Sequence, residues 1–155
     1  GYGRLALDKH DIVKILKDVG NEYENKNPGI KWVSLPEKLL LNIDSERIRI
    51  VFKNILDNAF KHSNADSNPV EISIRADNKV IIIKIIDDGP GIPEEDIPQL
   101  FEPFYRVDRS RSKKTGGYGL GLSLSKKIMD SHGGKIEISN NKDRGVTVTL
   151  SFKKA

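Results

Sequence analysis

Residues 80–92 read VIIIKIIDDGPGI, a run of aliphatic residues that ends in a turn rich in aspartate and glycine. Six of the first seven side chains are apolar, which is typical of a strand in the interior of a sheet. Gly89 and Gly91 allow the backbone to turn sharply and to approach a ligand closely. We therefore predict a strand from Val80 to Ile86, buried on both faces, that places Asp87 at the edge of the core.

The segments on either side of this strand alternate between strand and helix patterns. The predicted elements, in chain order, are a helix over about 11–25, strands over 32–35 and 39–43, a helix over 45–62, strands over 70–76 and 80–86, a helix over about 120–131, and a closing hairpin of strands over 135–139 and 146–152. This pattern predicts the α/β class, as a two-layer sandwich. About three helices would cover one face of a mixed, mostly antiparallel sheet.

Residues 87–119 form a long stretch without a clear helix or strand pattern. Such stretches in compact domains are usually lids, binding loops or disordered segments, and we predict a lid over residues 93–118. Its second half is basic, which fits either a solvated loop or, as the more specific interpretation, a loop that faces phosphate. Nucleic-acid binding is disfavoured, because Tyr105 is the only aromatic residue nearby. The basic residues between Tyr105 and Thr115 are Arg106, Arg109, Arg111, Lys113 and Lys114, against the single acid Asp108.

The composition limits the remaining choices. The 155 residues fit one domain over 1–155, and the 37% apolar content can supply one core. The absence of cysteine excludes disulfides and suits a reducing compartment. No apolar run is long enough to cross a bilayer. We expect a cytoplasmic, monomeric domain without direct membrane contact, whose parent protein could still be anchored.

The predicted helix over 45–62 carries a polar stripe beside its apolar face. At about 100° per residue, Asn54, Asn58 and Lys61 fall close together on the helix surface. Mg²⁺ takes one or two protein oxygens and fills its other positions with phosphate oxygens and water. Asn58 can supply such an oxygen, and Lys61 a point charge for phosphate. A solvated helix edge remains the plainer interpretation of these three residues alone.

Two glycine-rich turns flank the irregular stretch. In the first, the Asp87 carboxylate can accept a hydrogen bond from the exocyclic amine of adenine and would repel the carbonyl oxygen of guanine. The second, GGYGLGL over residues 116–122, opens a helix, where bare backbone amides bind anions. A plain turn and a hinge are the alternatives. The chain lacks a P-loop and the glycine loop, lysine and H-R-D set of protein kinases.

Between these turns lies LFEPFYR, residues 100–106, whose aromatic side chains can anchor the base of the lid while Arg106 reaches toward phosphate. The motifs follow the order N-x-x-x-N, D-x-G-x-G, F-x-P-F and G-x-G-x-G. Through NILDNAFKHS, DDGPGI, LFEPFYRVD, GGYGLGLSLSKKIMDSHGG and RGVTVTLSF, the chain resembles the ATP-binding domain of sensor histidine kinases over about Leu7 to Phe152. That domain belongs to the superfamily that includes gyrase, heat-shock chaperones and mismatch-repair ATPases.

The resemblance implies a site for Mg²⁺ and ATP. Asn58 would bind the metal and Asp87 the adenine, while Lys61 and Arg106 would contact phosphates. Asn58, Lys61 and Arg106 would thus take part in catalysis. Tyr118 departs from the family, which usually has Thr there. The other implied nucleotide contacts are Asn54, His62, Gly89, Gly91, Ile92, Tyr105, Gly117, Gly119, Leu120, Gly121 and Leu122.

The residue type at position 54 distinguishes a kinase from an ATP-hydrolysing enzyme. ATPases of the superfamily have Glu four residues before the metal-binding Asn, whereas this chain has Asn54, and an amide cannot take a proton from water. The resemblance implies a protein-histidine kinase whose acceptor histidine lies on a separate dimerisation hairpin and serves a response regulator. We expect that hairpin to be absent from the chain.

His10 is a poor candidate for the acceptor. It lacks the proline that typically follows an acceptor histidine, and it is predicted to lie on a short helix. Two alternatives to the kinase remain, namely an ATP-gated switch ATPase and a non-catalytic nucleotide-sensing module.

Overall fold

The structure, a computed structural model, describes residues 4–105 and 121–154. The strands within these ranges are β1 (Asp8–Asp11), β2 (Ile30–Ser34), β3 (Leu40–Ile43), β4 (Val70–Ala76), β5 (Val80–Ile86), β6 (Lys135–Asn140) and β7 (Val146–Lys153). The helices are α1 (Ile12–Gly20), α2 (Ser45–Lys61) and α3 (Gly121–Ser131), with a short 3-10 helix at Glu94–Gln99.

Five strands form one mixed sheet in the order β2-β4-β5-β7-β6. Strand β2 runs parallel to β4, and all the other neighbours are antiparallel. The buried side chains of these strands and those of α1, α2 and α3 form one hydrophobic core. The predicted α/β architecture, a mixed sheet with about three helices, is therefore confirmed.

Strand β5 lies at the centre of the sheet, but only one of its faces is covered. Ile81, Ile83 and Ile85 are buried in the core, whereas Lys84 is exposed and the remaining residues are partly exposed. Since the described helices lie on one face of the sheet, the side chains on the other face of β5 are partly or fully exposed. The prediction that this strand is buried on both faces is wrong.

The first helix is shorter than predicted. It ends at Gly20, where a side chain could not fit because a Cβ atom would lie 2.7 Å from the Trp32 ring. Turns follow to residue 28 in place of the predicted helical continuation. The short 3-10 helix after Pro93 also lies in the stretch expected to be irregular.

His10 lies in a strand that the sequence did not predict. Strand β1 pairs with β3 in a separate two-stranded sheet, and His10 stands opposite Leu41. The sequence of β1 is DKHD, which has no apolar alternation to mark it as a strand. The expectation that His10 lies on a short helix is therefore wrong. Helix α1 begins only after Asp11, whose carboxylate accepts a hydrogen bond from Val13 N at 3.1 Å.

Among the helices of residues 4–105 and 121–154, none is long and apolar enough to cross a membrane.

Candidate functional site

Helix α2 presents the polar stripe that the sequence predicts. Asn54 and Asn58 are half-buried beside the apolar face, and Lys61, in the last turn, is exposed. The Asn58 side chain makes no hydrogen bond with any residue of the ranges 4–105 and 121–154. Its amide oxygen is thus available to a ligand. Clusters of three or more metal-binding His, Asp or Glu residues do not occur in the same ranges.

Asp87 is a buried carboxylate at the end of β5, with 7% of its surface exposed. Its Oδ1 accepts hydrogen bonds from Gly89 N at 2.9 Å and from Val146 N at 3.2 Å. Burial raises its pKa above the ordinary aspartate value, against the opposing effect of these two N–H groups. Both described hydrogen bonds go to Oδ1, so Oδ2 remains for a ligand group.

Close packing brings the loop after β5 against the end of α2. A Cβ atom on Gly89 would lie 2.6 Å from the backbone oxygen of His62, so only glycine fits there. The His62 imidazole also interacts electrostatically with Asp87. Desolvation lowers the pKa of His62, against the opposing effect of that carboxylate, although the residue as a whole is exposed. The loop and the polar stripe therefore share one site.

The other side of the loop is held by β6. Gly91 has a φ of +86°, which favours glycine, and a Cβ atom there would lie 3.0 Å from Asn140 Oδ1. Asn140 Oδ1 accepts a hydrogen bond from Ile92 N at 2.8 Å, and Asn140 Nδ2 donates to Ile92 O at 2.6 Å. This amide thus satisfies both backbone groups of Ile92 and fixes the loop.

The turn between β6 and β7 completes this support. Asn141 Nδ2 donates to Asp87 O at 3.1 Å, and Arg144 Nε donates to Asp88 O at 3.1 Å. Gly145 has a φ of +90°, and a Cβ atom there would lie 2.0 Å from Asp87 O. The sequence analysis missed these supporting residues, together with Asn140, because the stretch NNKDRG over residues 140–145 indicates only a hairpin turn.

Helix α3 begins beside the polar stripe. Asn54 Nδ2 donates to Gly121 O at 3.2 Å and to Ser125 Oγ at 3.3 Å. Gly121 and Leu122 are half-buried in the first turn of the helix. The structure thus places the start of α3 next to Asn54, one helical turn before Asn58 on α2.

The segment with the aromatic residues is only partly attached to the core. Phe101 packs against the core, whereas Phe104 is 68% exposed and has a φ of +67°. The Tyr105 hydroxyl donates to Asp96 on the short 3-10 helix. Within residues 4–105 and 121–154, Phe101 packs against the core and Phe104 does not, so only Phe101 could anchor the predicted lid there.

Several predicted site residues lie outside the described residues, together with residues 106–118 of the predicted lid. They are Arg106, Gly117, Gly119 and Leu120.

A family model matches the part of the chain that contains these residues. The model described as "Histidine kinase-, DNA gyrase B-, and HSP90-like ATPase" matches residues 43–155, which include α2, the loop after β5 and α3. The chain belongs to this ATPase family. Within the family it is the ATP-binding catalytic domain of a protein-histidine kinase, as the relatives and solved structures that it resembles indicate.

The curated relatives of this histidine-kinase domain are sensor kinases. It is 45% identical to sensor histidine kinase YkoH of Bacillus subtilis, over 75% of the chain and 25% of that protein. It is 33% identical to sensor histidine kinase WalK of Bacillus subtilis, over 91% of the chain and 24% of that protein. The chain thus spans about a quarter of the length of these two relatives.

Solved structures give the same assignment. The nucleotide-free catalytic domain of histidine kinase ThkA superposes with a TM-score of 0.84 at 26% identity, over 97% of this chain and 99% of that one. ThkA in complex with the response regulator TrrA matches with a TM-score of 0.79 at 25% identity, over 96% of this chain and 42% of that one. The five-strand sheet and its helices are therefore those of a histidine-kinase catalytic domain.

Proposed function

We propose that this domain binds Mg²⁺-ATP and donates the γ-phosphate to a histidine on the dimerisation hairpin of its sensor kinase. The observation that carries the proposal is the contact between Gly89 and the end of α2. It sets a buried carboxylate, Asp87, beside a helix that presents Asn58 and Lys61. A carboxylate for the base, an amide for the metal and an ammonium for the phosphates thus face one ligand.

The adenine end of the ligand meets Asp87. Its Oδ1 is occupied by two backbone N–H groups, and Oδ2 accepts the exocyclic N–H of adenine. Guanine has a carbonyl oxygen at the equivalent position, which a carboxylate repels. The same bonds to Gly89 and Val146 hold the carboxylate in place, so the site is organised before the base arrives.

The phosphate end meets α2 and the start of α3. The Asn58 amide oxygen would supply one ligand to a Mg²⁺ ion, which takes one or two protein oxygens and otherwise binds phosphate oxygens and water. Bound Mg²⁺ supplies charge neutralisation at the phosphates. Lys61 contributes a further positive charge, and Arg106, outside the described residues, has the same role by resemblance to the family.

The transfer step joins an imidazole nitrogen to the γ-phosphorus. A P–N bond forms, the P–O bond to the β-phosphate breaks with its electron pair leaving on ADP, and the imidazole releases its N–H proton to solvent. Positioning and charge neutralisation account for most of the catalysis of such a step. The phosphohistidine then serves a response regulator, the class of partner seen with ThkA.

Slow hydrolysis of ATP follows from the chemistry of position 54. Asn54 has no basic group, and its amide nitrogen already donates to Gly121 O and Ser125 Oγ. A general base toward water is therefore absent from that position. This argues against a switch ATPase, the nearest alternative function.

We expect the chain alone to bind ATP, to hydrolyse it very slowly and not to phosphorylate itself. Mixed with its cognate histidine hairpin, it should transfer the γ-phosphate to that partner. Radiolabelled ATP gives the measurement, and acid lability of the product identifies phosphohistidine. A control with the acceptor histidine replaced by alanine should stay unlabelled.

Three outcomes would contradict this expectation. Rapid turnover to ADP without a partner favours the ATPase. ATP binding without transfer to the hairpin favours a nucleotide-sensing module. Stable labelling of the isolated chain that is lost in His10→Ala would make His10 the acceptor.

A further inference from the structure

His132, just after α3, makes a hydrogen bond through each of its ring nitrogens. Asp44 N donates to Nε2 at 3.0 Å, and Nδ1 lies 2.8 Å from the backbone oxygen of Ile128. A backbone N–H can only donate and a carbonyl oxygen can only accept. In this arrangement Nε2 accepts a hydrogen bond and Nδ1 donates one, which places the proton on Nδ1.

The partner of His132 is the residue that starts α2. Asp44 caps this helix through its Oδ1, which accepts a hydrogen bond from Arg47 N at 3.2 Å. Its Oδ2 accepts from Ala6 N at 2.9 Å, and this bond is the main reason that the pKa of Asp44 is lowered to about 2. The cap therefore stays ionised at neutral pH. His132 thus joins the end of α3 to a firmly held helix start.

Helix α3 is also attached to α2 at its other end. Asn54 Nδ2 donates to Gly121 O and Ser125 Oγ at the start of α3. The two helices pack side by side and run in opposite directions, so one attachment lies at each end of α3. Asn54 is one turn from Asn58, which means that these attachments set the start of α3 relative to the proposed metal ligand.

We propose that His132 is a positioning residue for the phosphate end of the nucleotide site. It acts through α3, whose backbone amides begin at Gly121, and it touches no ligand. This inference rests on the proposed function, because it assumes that phosphates lie between Asn58 and the start of α3. The adenine end is held separately, by Asp87 and the β6–β7 turn. Loss of the His132 bonds should therefore affect phosphate binding and spare adenine binding.

The test compares two ligands, Mg²⁺-ATP and adenosine, by calorimetric titration of the domain. His132→Ala should lower the affinity for ATP about tenfold, as expected for loss of the one hydrogen bond that joins the end of α3 to the start of α2. Its affinity for adenosine should stay within about twofold of the wild type. Ser131→Ala is the matched control, because it removes only a bond within α3, to Lys127 O at 2.9 Å. It should leave both affinities unchanged.

A second variant distinguishes loss of the hydrogen bonds from loss of folding. His132→Gln retains one acceptor and one donor and should restore part of the ATP affinity. Nitrogen NMR of the wild-type imidazole should find the proton on Nδ1. A proton on Nε2, an equal loss of ATP and adenosine binding, or no loss of either would overturn the proposal. A wild-type domain that binds ATP no better than adenosine would instead overturn the phosphate site, and with it this role of His132.

Discussion

Asp87→Asn should weaken Mg²⁺-ATP binding roughly tenfold to a hundredfold or more, because a hydrogen bond to a charged acceptor is worth about 1.5–3 kcal/mol. The variant should also lose most of the preference for ATP over GTP. Its Oδ1 can still accept from Gly89 N and Val146 N, so an NH₂ group replaces the ligand-facing oxygen. This NH₂ group repels the amine of adenine, which is also a donor, whereas it can donate a hydrogen bond to the carbonyl oxygen of guanine. Calorimetric titration with each nucleotide measures both effects.

The neighbouring carboxylate provides a matched control. Asp88 lies next in the chain, but its side chain accepts from Asn68 N at 3.0 Å and pairs with Arg144 at 3.5 Å. Asp88→Asn should therefore retain the nucleotide preference. Equal affinity of the wild type for ATP and GTP, or an unchanged preference in Asp87→Asn, would refute the assignment of adenine to Asp87.

The affinity for ATP should also fall at low pH. Burial raises the pKa of Asp87, so this carboxylate takes up a proton at a higher pH than an ordinary aspartate. The acceptor is present above that pKa and is lost as the pH falls through it. Comparison of the wild type with Asp87→Asn isolates this titration, because the variant has no carboxylate there. A fall of equal size in both proteins would assign the effect to other groups.

Asn58→Ala should abolish most of the effect of Mg²⁺ on ATP affinity and should slow transfer to the histidine hairpin roughly a hundredfold. The estimate follows from the several kcal/mol that a metal ion contributes to stabilising charge in a phosphoryl-transfer transition state. Asn58 is half-buried, and its amide oxygen makes no hydrogen bond within residues 4–105 and 121–154. Calorimetry with and without Mg²⁺ measures the first effect, and the radiolabelled assay the second.

Asn54→Ala is the comparison for this variant. It also removes an amide from the polar stripe, but that amide donates to Gly121 O and Ser125 Oγ. Asn54→Ala should therefore keep more of the metal effect, while its affinity for ATP falls through the looser start of α3. If Asn58→Ala retained the full effect of Mg²⁺, the metal would have to bind elsewhere.

Much of the fold could be predicted from local patterns. Apolar residues that recur with a period of about 3.6 predicted α2 and its polar stripe. The aliphatic run that ends in Asp-Gly-Pro-Gly predicted β5 and its loop. Such elements can be predicted because their helix or strand period repeats within a single segment. Strand β1 could not be predicted in this way, because its four residues have no apolar alternation and it forms only by pairing with β3.

The sequence by itself determined the order of the motifs and the residue types at the site, including an amide where the ATPases have a carboxylate. Only the tertiary structure decided how these residues are held. Asn140 fixes Ile92 across 48 residues of chain, and His132 joins Asp44 across 88. Such contacts depend on the order β5-β7-β6 in the sheet and on the antiparallel packing of α2 and α3. No local period encodes either arrangement, because each arises only when distant segments are brought together in the folded core.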